Sequence, residues 1–508
     1  MIRRLLIANR GEIAVRIARA CREMGVETVA VYSEADARAA HVAAADRALA
    51  IGPARSADSY LNTNVILDAA RRSGADAIHP GYGFLSENAA FAAACEAAGL
   101  IFVGPPADVI RRMGSKIDAR RTMAAAGVPV VPGDTPADQT DAGLRRAVDH
   151  VGLPALIKAS SGGGGKGMRR VSAPDEILDA VVGARREAEA AFGDGTLYVE
   201  RLFERPYHVE VQIFGDAHGQ VVHLFERDCS VQRRHQKVIE ETPSPLVAAV
   251  GGDLGARLRA AAVLAARAVS YRNAGTVEFL VTREGTSSEC YFLEMNTRLQ
   301  VEHGVTELVA GVDLVQAQLL VAAGRPLPWS QAQISSRGHA IEARVYAEDP
   351  AQGFLPQSGP LLLYREPVLP GVRIDSGVRE GDTVSVHYDP LIAKVMAVAE
   401  SRPLALARLC TALEQFPILG IRTNIPFLLQ VLAHPDFEAG RVDTGFLDRH
   451  AASLTQGGTP PPLVLAAMDA HRDGSLAAAS QPISSTNAGQ RQGAATPDPW
   501  TLLRGWRG

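Results

Sequence analysis

Few cysteines, no long apolar run and no excess of either charge characterise this sequence, and each absence excludes a class of protein. The five cysteines lie far apart, with neither metal-ligand spacing nor a disulfide framework, which fits a reducing compartment. No apolar run reaches the ~18 residues that a membrane span needs, and the N-terminus shows no signal-peptide pattern. The 52 basic residues nearly balance the 56 acidic ones, so there is no electrostatic footprint for nucleic acid. We therefore expect a cytoplasmic protein without a membrane or nucleic-acid partner.

The first 110 residues alternate between strand and helix patterns. The chain has 508 residues, 47 % of them apolar, which is enough for roughly two to four domains. A strand pattern at 5–9, a helical pattern at about 12–24 and a strand pattern at 27–33 predict a parallel α/β sheet. Ligands of such sheets bind beyond the C-terminal ends of the strands, where residues 9–12 and 79–82 are expected to lie.

The remainder of the chain indicates antiparallel β structure with helices. Alternating strands are predicted from about 153, with a helix over about 251–270, and short strands with a further helix over 402–415. After about 450 the composition shifts to small and polar residues, and 471–498 has the composition of a flexible linker. The fold class expected is therefore mixed α/β and α+β.

A glycine-rich segment, "KASSGGGGKG" at 158–167, is typical of a loop that covers phosphates. Successive glycines let backbone N–H groups approach phosphate oxygens, and Lys158 and Lys166 add positive charge. It is not a Walker A loop, because Gly167 stands where serine or threonine is needed. We interpret it as the turn of a β-hairpin, with a solvated flexible turn as the alternative.

Two lone carboxylates, Glu278 and Glu294, each stand inside an apolar strand pattern. Buried carboxylates are rare unless they are paired or bind a cation. Two of them on neighbouring strands, with Asn296 two residues further on, suit an all-oxygen Mg²⁺ site bridged by substrate phosphates. The alternative for either carboxylate is a salt bridge to a neighbouring lysine or arginine.

The segment "EMNTRLQVEH" at 294–303 alternates polar and apolar residues, which would place Arg298, Gln300 and Glu302 on the same strand face as Glu294. The guanidinium of Arg298 offers a planar fork for a small planar anion. Glu302 could then act as a general base on that anion. The alternative is a surface loop of alternating charge.

The segment "RDCSVQRRHQKVIEE" at 227–241 is by itself predicted to be a charged loop. His235 and Lys237 alternate along it, so they could reach a nucleotide or an anion.

Together these segments resemble the ATP-grasp superfamily, and specifically the biotin carboxylase component of biotin-dependent acyl-CoA carboxylases. The resemblance runs from residue 1 to about 449. It rests on the following motifs, which occur in the family's order: "IANRGEIAVRIARA", "HPGYGFLSEN", "MGSK" ending at Lys116, "KASSGGGGKGM", "RDCSVQRRHQK", "EMNTRLQVEH" and "EARVYAED".

The resemblance also implies a domain organisation. We expect an N-terminal parallel α/β domain at 1–112 and an ATP-grasp domain at 113–330, with a mobile lid at about 132–202. A C-terminal mixed β domain is expected at 331–449, followed at 450–508 by a linker and an incomplete element.

The same resemblance implies roles for individual residues. Those expected to bind ATP are Lys116, Lys158, Gly164 and Gly165 at the phosphates, Glu200, Arg201, Leu202 and Phe203 in a hinge segment that reads adenine, and His208, Gln232 and His235. Those expected to hold Mg²⁺ or Mn²⁺ are Glu278, Glu294 and Asn296. Those expected to hold bicarbonate are Lys237, Arg298, Gln300 and the backbone of Val301. Glu302 would deprotonate bicarbonate for attack on ATP, and Arg344 would stabilise the biotin enolate that receives CO₂.

The partners implied are a biotin carrier domain or protein, a carboxyltransferase subunit and a second copy of the chain. The biotin-accepting Ala-Met-Lys-Met motif does not occur in the sequence, so biotin is expected as a substrate on a carrier. The ending "DPWTLLRGWRG" is similar to the connection in α subunits of acyl-CoA carboxylases, so we expect a truncated α subunit or a free-standing carboxylase. Two departures from the family pattern are Gly304, where proline is usual, and Ala90, where an acidic residue is common. The alternative functions are a different ATP-grasp ligase and a non-catalytic scaffold.

Overall fold

Five short parallel strands open the chain and form one sheet. In the computed structural model, the described residues are 2–160, 167–285 and 287–455. The strands are β1 Arg4–Ile7, β2 Glu27–Tyr32, β3 Arg47–Ala50, β4 Ala77–His79 and β5 Ile101–Phe102, in the order β3-β2-β1-β4-β5. The helices of this region are α1 Gly11–Glu23, α2 Ala40–Ala44, α3 Thr63–Ser73, α4 Ala89–Ala97 and α5 Ala107–Gly114. The predicted parallel α/β unit is confirmed.

A second, four-stranded sheet follows, in the order β6-β9-β7-β8. Its elements and the helix before it are α6 Lys116–Ala125, β6 Gly133–Asp134, α7 Asp141–Val151, β7 Ala155–Ala159, β8 Arg169–Val171, α8 Ile177–Phe192 and β9 Leu197–Arg201. Strands β7 and β8 pair antiparallel on either side of the glycine-rich segment, as the hairpin interpretation requires. Gly164 and Gly165 lie outside the described residues.

An eight-stranded sheet forms the centre of the described chain, in the order β14-β13-β10-β11-β12-β15-β22-β20. Its first part comprises β10 Tyr207–Gly215, β11 Val221–Arg233, β12 Gln236–Thr242, α9 Pro245–Val250, α10 Leu254–Ala268, β13 Asn273–Glu284, β14 Ser287–Asn296, α11 His303–Ala310 and α12 Leu314–Ala322. The remainder comprises β15 His339–Tyr346, β16 Glu348–Asp349, β17 Leu355–Pro356, β18 Gly359–Pro360, β19 Leu363–Tyr364, β20 Val372–Ser376, β21 Thr383–Val384, β22 Leu391–Ala399, α13 Arg402–Glu414, β23 Ile418–Leu419, α14 Ile425–Leu432, α15 Pro435–Glu438 and α16 Phe446–Leu454.

The two faces of this sheet differ in chemistry because side chains alternate along a strand. On one face, Val211 and Phe279 pack with Leu258 of α10 in a buried apolar cluster. On the other face, Glu210 of β10 stands opposite Glu278 of β13. The apolar face therefore anchors the sheet to a helix, and the polar face is left for the site.

Two local predictions were wrong. Residues 227–241 are not a charged loop: they are the ends of β11 and β12, joined at Arg234 and His235, whose φ values of 49° and 66° are those of a tight primed hairpin turn. The strand starting before Glu294 ends at Asn296, so Arg298 and Gln300 lie beyond it and Glu302 caps α11. A turn, rather than a continuous strand face, brings these groups together.

Within the described residues, no single helix has the length and hydropathy of a membrane span. The bent pair α11 and α12 meets the criteria of length and composition only as a pair, with an angle of 97° between its members.

Candidate functional site

A cavity of about 730 Å³ lies between the four-stranded sheet and the polar face of the eight-stranded sheet. The predicted site residues that line it are Lys116, Lys158, Glu200, Arg201, Leu202, Phe203, His208, Gln232, His235, Lys237, Glu278, Glu294, Asn296, Arg298, Gln300, Glu302 and Arg344. Val301 lies behind this wall, where its carbonyl accepts a hydrogen bond of 2.6 Å from Lys394 Nζ. The fold thus collects in one cavity residues that are spread over more than 200 positions of the chain.

One end of the cavity, which we call the nucleotide end, combines apolar walls with two lysines. Its apolar lining includes Leu156, Met168, Leu202, Leu280 and Leu293. Phe203 stacks on Tyr291 with ring centroids 5.2 Å apart, which holds the segment after β9 against the eight-stranded sheet. A flat apolar slot of this kind suits a planar base.

The two lysines of the nucleotide end are Lys116 and Lys158. Lys158 Nζ donates a 2.9 Å hydrogen bond to Glu200 Oε2, and Glu200 Oε1 accepts a 3.0 Å hydrogen bond from Arg120 Nη1. Burial lowers the pKa of Lys116, and the charge of Lys158 lowers it further. The ammonium groups of Lys116 and Lys158 are neighbours, and Glu200 offsets only part of their positive charge. This arrangement favours a polyanionic ligand. The side chain of Glu200 is held by Lys158 and Arg120 at the wall of the cavity.

Three further nucleotide-binding candidates line the wall next to these lysines. His208 Nε2 lies 2.8 Å from Glu278 Oε2. Burial opposes a charge on His208, but Glu278 outweighs burial and raises the pKa of the imidazole. Gln232 lies next to the last residue of β11, and His235 lies in the hairpin turn. Burial and then Lys158 lower the pKa of His235. The hairpin that was predicted to be a loop therefore places both groups rigidly.

The two carboxylates expected to bind a cation, Glu278 and Glu294, are direct cross-strand neighbours on β13 and β14. Oε1 of Glu278 accepts hydrogen bonds from Lys237 Nζ at 2.7 Å, Asn296 Nδ2 at 2.7 Å and Gln300 Nε2 at 3.0 Å. Among the described residues, none donates a hydrogen bond to Glu294. Burial raises the pKa of Glu294, and the charge of Glu278 adds to the rise. A carboxylate that receives no hydrogen bond from the described residues, opposite a second carboxylate and with an amide oxygen close by, fits the oxygen ligands that Mg²⁺ takes.

The other end of the cavity, the catalytic end, is a closed ionic network centred on Lys237. Its Nζ donates to Glu210 at 2.5 Å, to Glu278 at 2.7 Å and to Glu302 at 2.8 Å. The second oxygen of Glu302 accepts a 3.0 Å hydrogen bond from Arg344 Nη2. Burial alone would raise the pKa of Glu302, but Lys237 and Arg344 together with Arg227 hold it well below its usual value. Glu302 is therefore ionised and fully buried between cations.

Arg298 is oriented by a residue from a loop of the N-terminal region that the sequence analysis did not single out. Its Nε donates to Glu87 Oε2 at 2.9 Å, its Nη1 to Gln300 Oε1 at 2.6 Å and its Nη2 to Asn296 Oδ1 at 3.1 Å. Glu87 lies in "HPGYGFLSEN", beyond the C-terminal end of β4. The position of ligands at such strand ends was the signal that could have identified it.

Two more supporting groups were missed, Glu210 and Arg227. Arg227 is fully buried and donates to Glu210 Oε1 at 2.6 Å, to Gln212 Oε1 at 2.8 Å and to Thr306 Oγ1 at 2.9 Å. Glu210 is a lone carboxylate in the apolar strand "HVEVQIFG". The same pattern led to Glu278, so it could have led to Glu210 as well.

Three protein-family models match the chain. Residues 1–110 match "Biotin carboxylase, N-terminal domain", residues 115–330 match "Carbamoyl-phosphate synthase L chain, ATP binding domain", and residues 342–449 match "Biotin carboxylase C-terminal domain".

Curated relatives are similar over most of the chain. A biotin carboxylase of Halalkalibacterium halodurans is 51 % identical over 450 residues, which are 89 % of this chain and 98 % of that protein. The mitochondrial methylcrotonoyl-CoA carboxylase subunit alpha of Glycine max is 54 % identical over 453 residues, which are 89 % of this chain and 61 % of that protein. The chain thus spans less than two thirds of the length of the second relative.

Solved structures show the same fold. The biotin carboxylase domain dimer of the 2-oxoglutarate carboxylase from Hydrogenobacter thermophilus, in complex with MgADP, ADP and bicarbonate, has a TM-score of 0.86 and 42 % identity, and the match covers 90 % of this chain and 100 % of that one. A biotin carboxylase from Campylobacter jejuni in a β-γ-ATP complex has a TM-score of 0.85 and 44 % identity, over 89 % of this chain and 99 % of that one. The predicted ATP-grasp fold class is confirmed.

Proposed function

The chain belongs to the biotin carboxylase family of ATP-dependent ligases, and we propose that the cavity described above is where it carboxylates biotin with ATP and bicarbonate. The observation that carries this proposal is the placement of Lys237, Arg298 and Gln300 around the buried carboxylate of Glu302, beside the Glu278 and Glu294 pair. Binding a small planar anion requires cations and a hydrogen-bonding amide, and deprotonating it requires a base. This wall of the cavity holds all of these groups.

At the nucleotide end, Lys116 and Lys158 contact the phosphates, and Gly164 and Gly165, which lie outside the described residues, are the further phosphate-binding residues that the resemblance implies. His208, Gln232 and His235 complete the nucleotide site. Adenine lies in the apolar slot, where the segment Glu200, Arg201, Leu202 and Phe203 offers backbone groups and the side chains of its last two residues. Glu278, Glu294 and Asn296 would hold Mg²⁺ or Mn²⁺, which would neutralise phosphate charge when bound.

At the catalytic end, bicarbonate binds to Lys237, Arg298, Gln300 and the backbone of Val301, and Glu302 removes its proton. In the structure the cations around Glu302 hold its pKa well below the usual value, which makes it a weak base. A bicarbonate anion that takes hydrogen bonds from Lys237 withdraws part of that positive charge from Glu302. The base therefore becomes stronger when its substrate arrives.

The deprotonated bicarbonate attacks the γ-phosphorus of ATP, and ADP leaves. Carboxyphosphate then breaks into CO₂ and phosphate, and the phosphate takes the N1′ proton of biotin, whose nitrogen attacks CO₂. Arg344 stabilises the negative charge on the biotin enolate. In the structure Arg344 is clamped between Glu240 and Glu302, with Nε 2.6 Å from Glu240 Oε1, so its guanidinium is oriented before biotin binds.

The reaction corresponds to the first half-reaction of an acyl-CoA carboxylase. The partners we propose are a biotin carrier domain or protein, a carboxyltransferase subunit and a second copy of the chain. The division at 1–112, 113–330 and 331–449 stays a prediction. So does the cytoplasmic location, because the relatives include both bacterial proteins and mitochondrial ones.

The experiment that tests this function is ADP release by the purified chain with and without bicarbonate, and with and without free biotin. Turnover that needs bicarbonate and rises with biotin supports the proposal. Turnover that is indifferent to both points to another ATP-grasp ligase. ATP binding without any turnover supports the scaffold alternative.

A further inference from the structure

Two glutamates that the reaction does not use face each other inside the eight-stranded sheet. Glu240 of β12 and Glu342 of β15 are direct cross-strand neighbours, and both are fully buried. Like charges directly opposite each other destabilise a sheet. Their position next to Arg344 and Glu302 gives this pair a connection to the catalytic end.

Hydrogen bonding distinguishes this pair from the other buried carboxylates. Glu240 Oε1 accepts from Arg344, but Glu240 Oε2 and both oxygens of Glu342 have no hydrogen-bond partner among the described residues. A buried ionised carboxylate without a donor is strongly disfavoured. One added proton changes this, because a protonated Glu342 is a donor and the oxygen opposite it is an unpartnered acceptor.

The charges around the pair also favour a proton. The groups that face it are Lys237 of β12, Arg344 of β15, Lys394 of β22 and Glu302 at the start of α11, and Lys394 in turn faces Glu12 of α1 at 3.2 Å and Asp375 of β20 at 3.9 Å. Arg344 is thus shared by Glu240, Glu302 and Glu342, and Lys394 by Glu12, Asp375 and Glu342. Burial raises the pKa of Glu342 well above its usual value, and although Lys394 and Arg344 oppose this, Glu240 and Glu302 reinforce it.

We propose that Glu240 and Glu342 hold one proton between them, and that this protonated pair positions Arg344 against Glu302. Glu342 is therefore a positioning residue for the reaction proposed above, on which the kinetic part of this inference rests. When the proton is lost at high pH, a second full negative charge stands beside Arg344 and competes with Glu302 for its guanidinium. Activity should then fall on the alkaline side.

The decisive variant is Glu342→Gln, which keeps the shape, stays neutral and supplies an N–H donor for Glu240. Its kcat near neutral pH should stay within about twofold of the wild type, whereas its alkaline limb should move to higher pH. Glu226→Gln is the matched control, since Glu226 is also buried and pairs with Arg259 outside the cavity. The control should keep the wild-type pH profile. A Glu342→Gln profile that superimposes on the wild type overturns the proposal.

Two measurements do not depend on turnover. Infrared spectra should show the carbonyl band of a protonated carboxylic acid in the wild type and in Glu226→Gln at neutral pH, and this band should lose intensity in Glu342→Gln. The folded chain keeps the Glu342 proton to a higher pH than the unfolded chain does. The stability of the fold therefore falls as pH rises from the usual pKa of a glutamate to the raised pKa of Glu342. The melting temperature of Glu342→Gln should therefore fall less than that of the wild type between about pH 6 and pH 9.

The outcomes separate the two proposals. An unchanged carboxylic acid band in Glu342→Gln overturns the shared proton, whatever the enzyme does. A wild type that shows the band but no bicarbonate-dependent turnover contradicts the proposed function and leaves the proton in place.

Discussion

The two ends of the cavity are built on opposite principles. The nucleotide end is an apolar slot with two lysines, and the ionic contact of Lys158 there is with Glu200. At the catalytic end Lys237 donates to three carboxylates and Glu302 accepts from two cations. Ligands at the first end add new contacts, whereas at the second end they must exchange places with contacts that already exist. Substitutions at the catalytic end should therefore change turnover or the KM for bicarbonate, and those at the nucleotide end should change the affinity for ATP.

The largest expected effect is that of Glu302→Gln. The amide cannot take a proton from bicarbonate, so bicarbonate-dependent ATP turnover should fall by about a hundredfold or more. The affinity for ATP should change little, because Glu302 lies at the far end from the apolar slot. Steady-state ADP release together with nucleotide titration measures both quantities. Persisting turnover would mean that the base is wrongly assigned.

The next effect concerns Glu87→Gln, which weakens the contact that orients Arg298. The KM for bicarbonate should rise about tenfold while the KM for ATP stays unchanged, as is usual for groups that orient a ligand-binding side chain. Glu96→Gln is the control, because Glu96 is an exposed glutamate of the same N-terminal sheet region. Equal effects of the two variants on the KM for bicarbonate would contradict the role of Glu87.

A smaller effect, on the KM for ATP instead of the KM for bicarbonate, is expected from Leu280→Ala in the apolar slot. Loss of the isobutyl contact should raise the KM for ATP by about threefold to tenfold. The kcat at saturating ATP should stay at the wild-type level, because no group of the ionic network is touched. A fall in kcat at saturating ATP would remove the distinction between the two ends.

The smallest effect on activity is expected from Gly304→Ala, at the position where the family usually has proline. A Cβ there would overlap Sδ of Met396, which is fully buried and whose strand also carries Lys394. Unfolding free energy should fall by about 1–3 kcal/mol while turnover at low temperature is retained. The double variant Gly304→Ala with Met396→Ala should lose less than the sum of the two single losses. Simple additivity of the two losses in denaturant titrations would exclude the overlap.

Sequence patterns predicted the separate parts of the site better than their assembly. Lone carboxylates in two apolar strand patterns identified Glu278 and Glu294 as partners on neighbouring strands, which the register confirms. Period-two alternation from Glu294 onward failed after Asn296, because the contacts of Arg298 with Glu87 and Gln300 depend on a turn and on a loop of the N-terminal region. The residue pattern of a charged segment does not distinguish a solvated loop from a hairpin that is folded into a sheet. The prediction of a loop for 227–241 was therefore wrong.

Long-range partners explain most of the residues that were missed. Glu240 and Glu342 are 102 positions apart in the chain and become neighbours only through the pairing of β12 with β15. The sequence around one glutamate in a strand does not indicate which residue of another strand will lie opposite it. The proton that we place between them follows from tertiary structure alone.

The orientation of Arg298 by Glu87 has a consequence for how such a chain can be divided or recombined. The nucleotide end is drawn mostly from one continuous stretch between Lys116 and Leu293. The catalytic end takes Glu87 from the loop after β4 and Arg344 from the last third of the chain. A chimera can therefore take most side chains of the nucleotide end from a single parent segment, whereas the catalytic end needs matched residues from three separate parts of the chain.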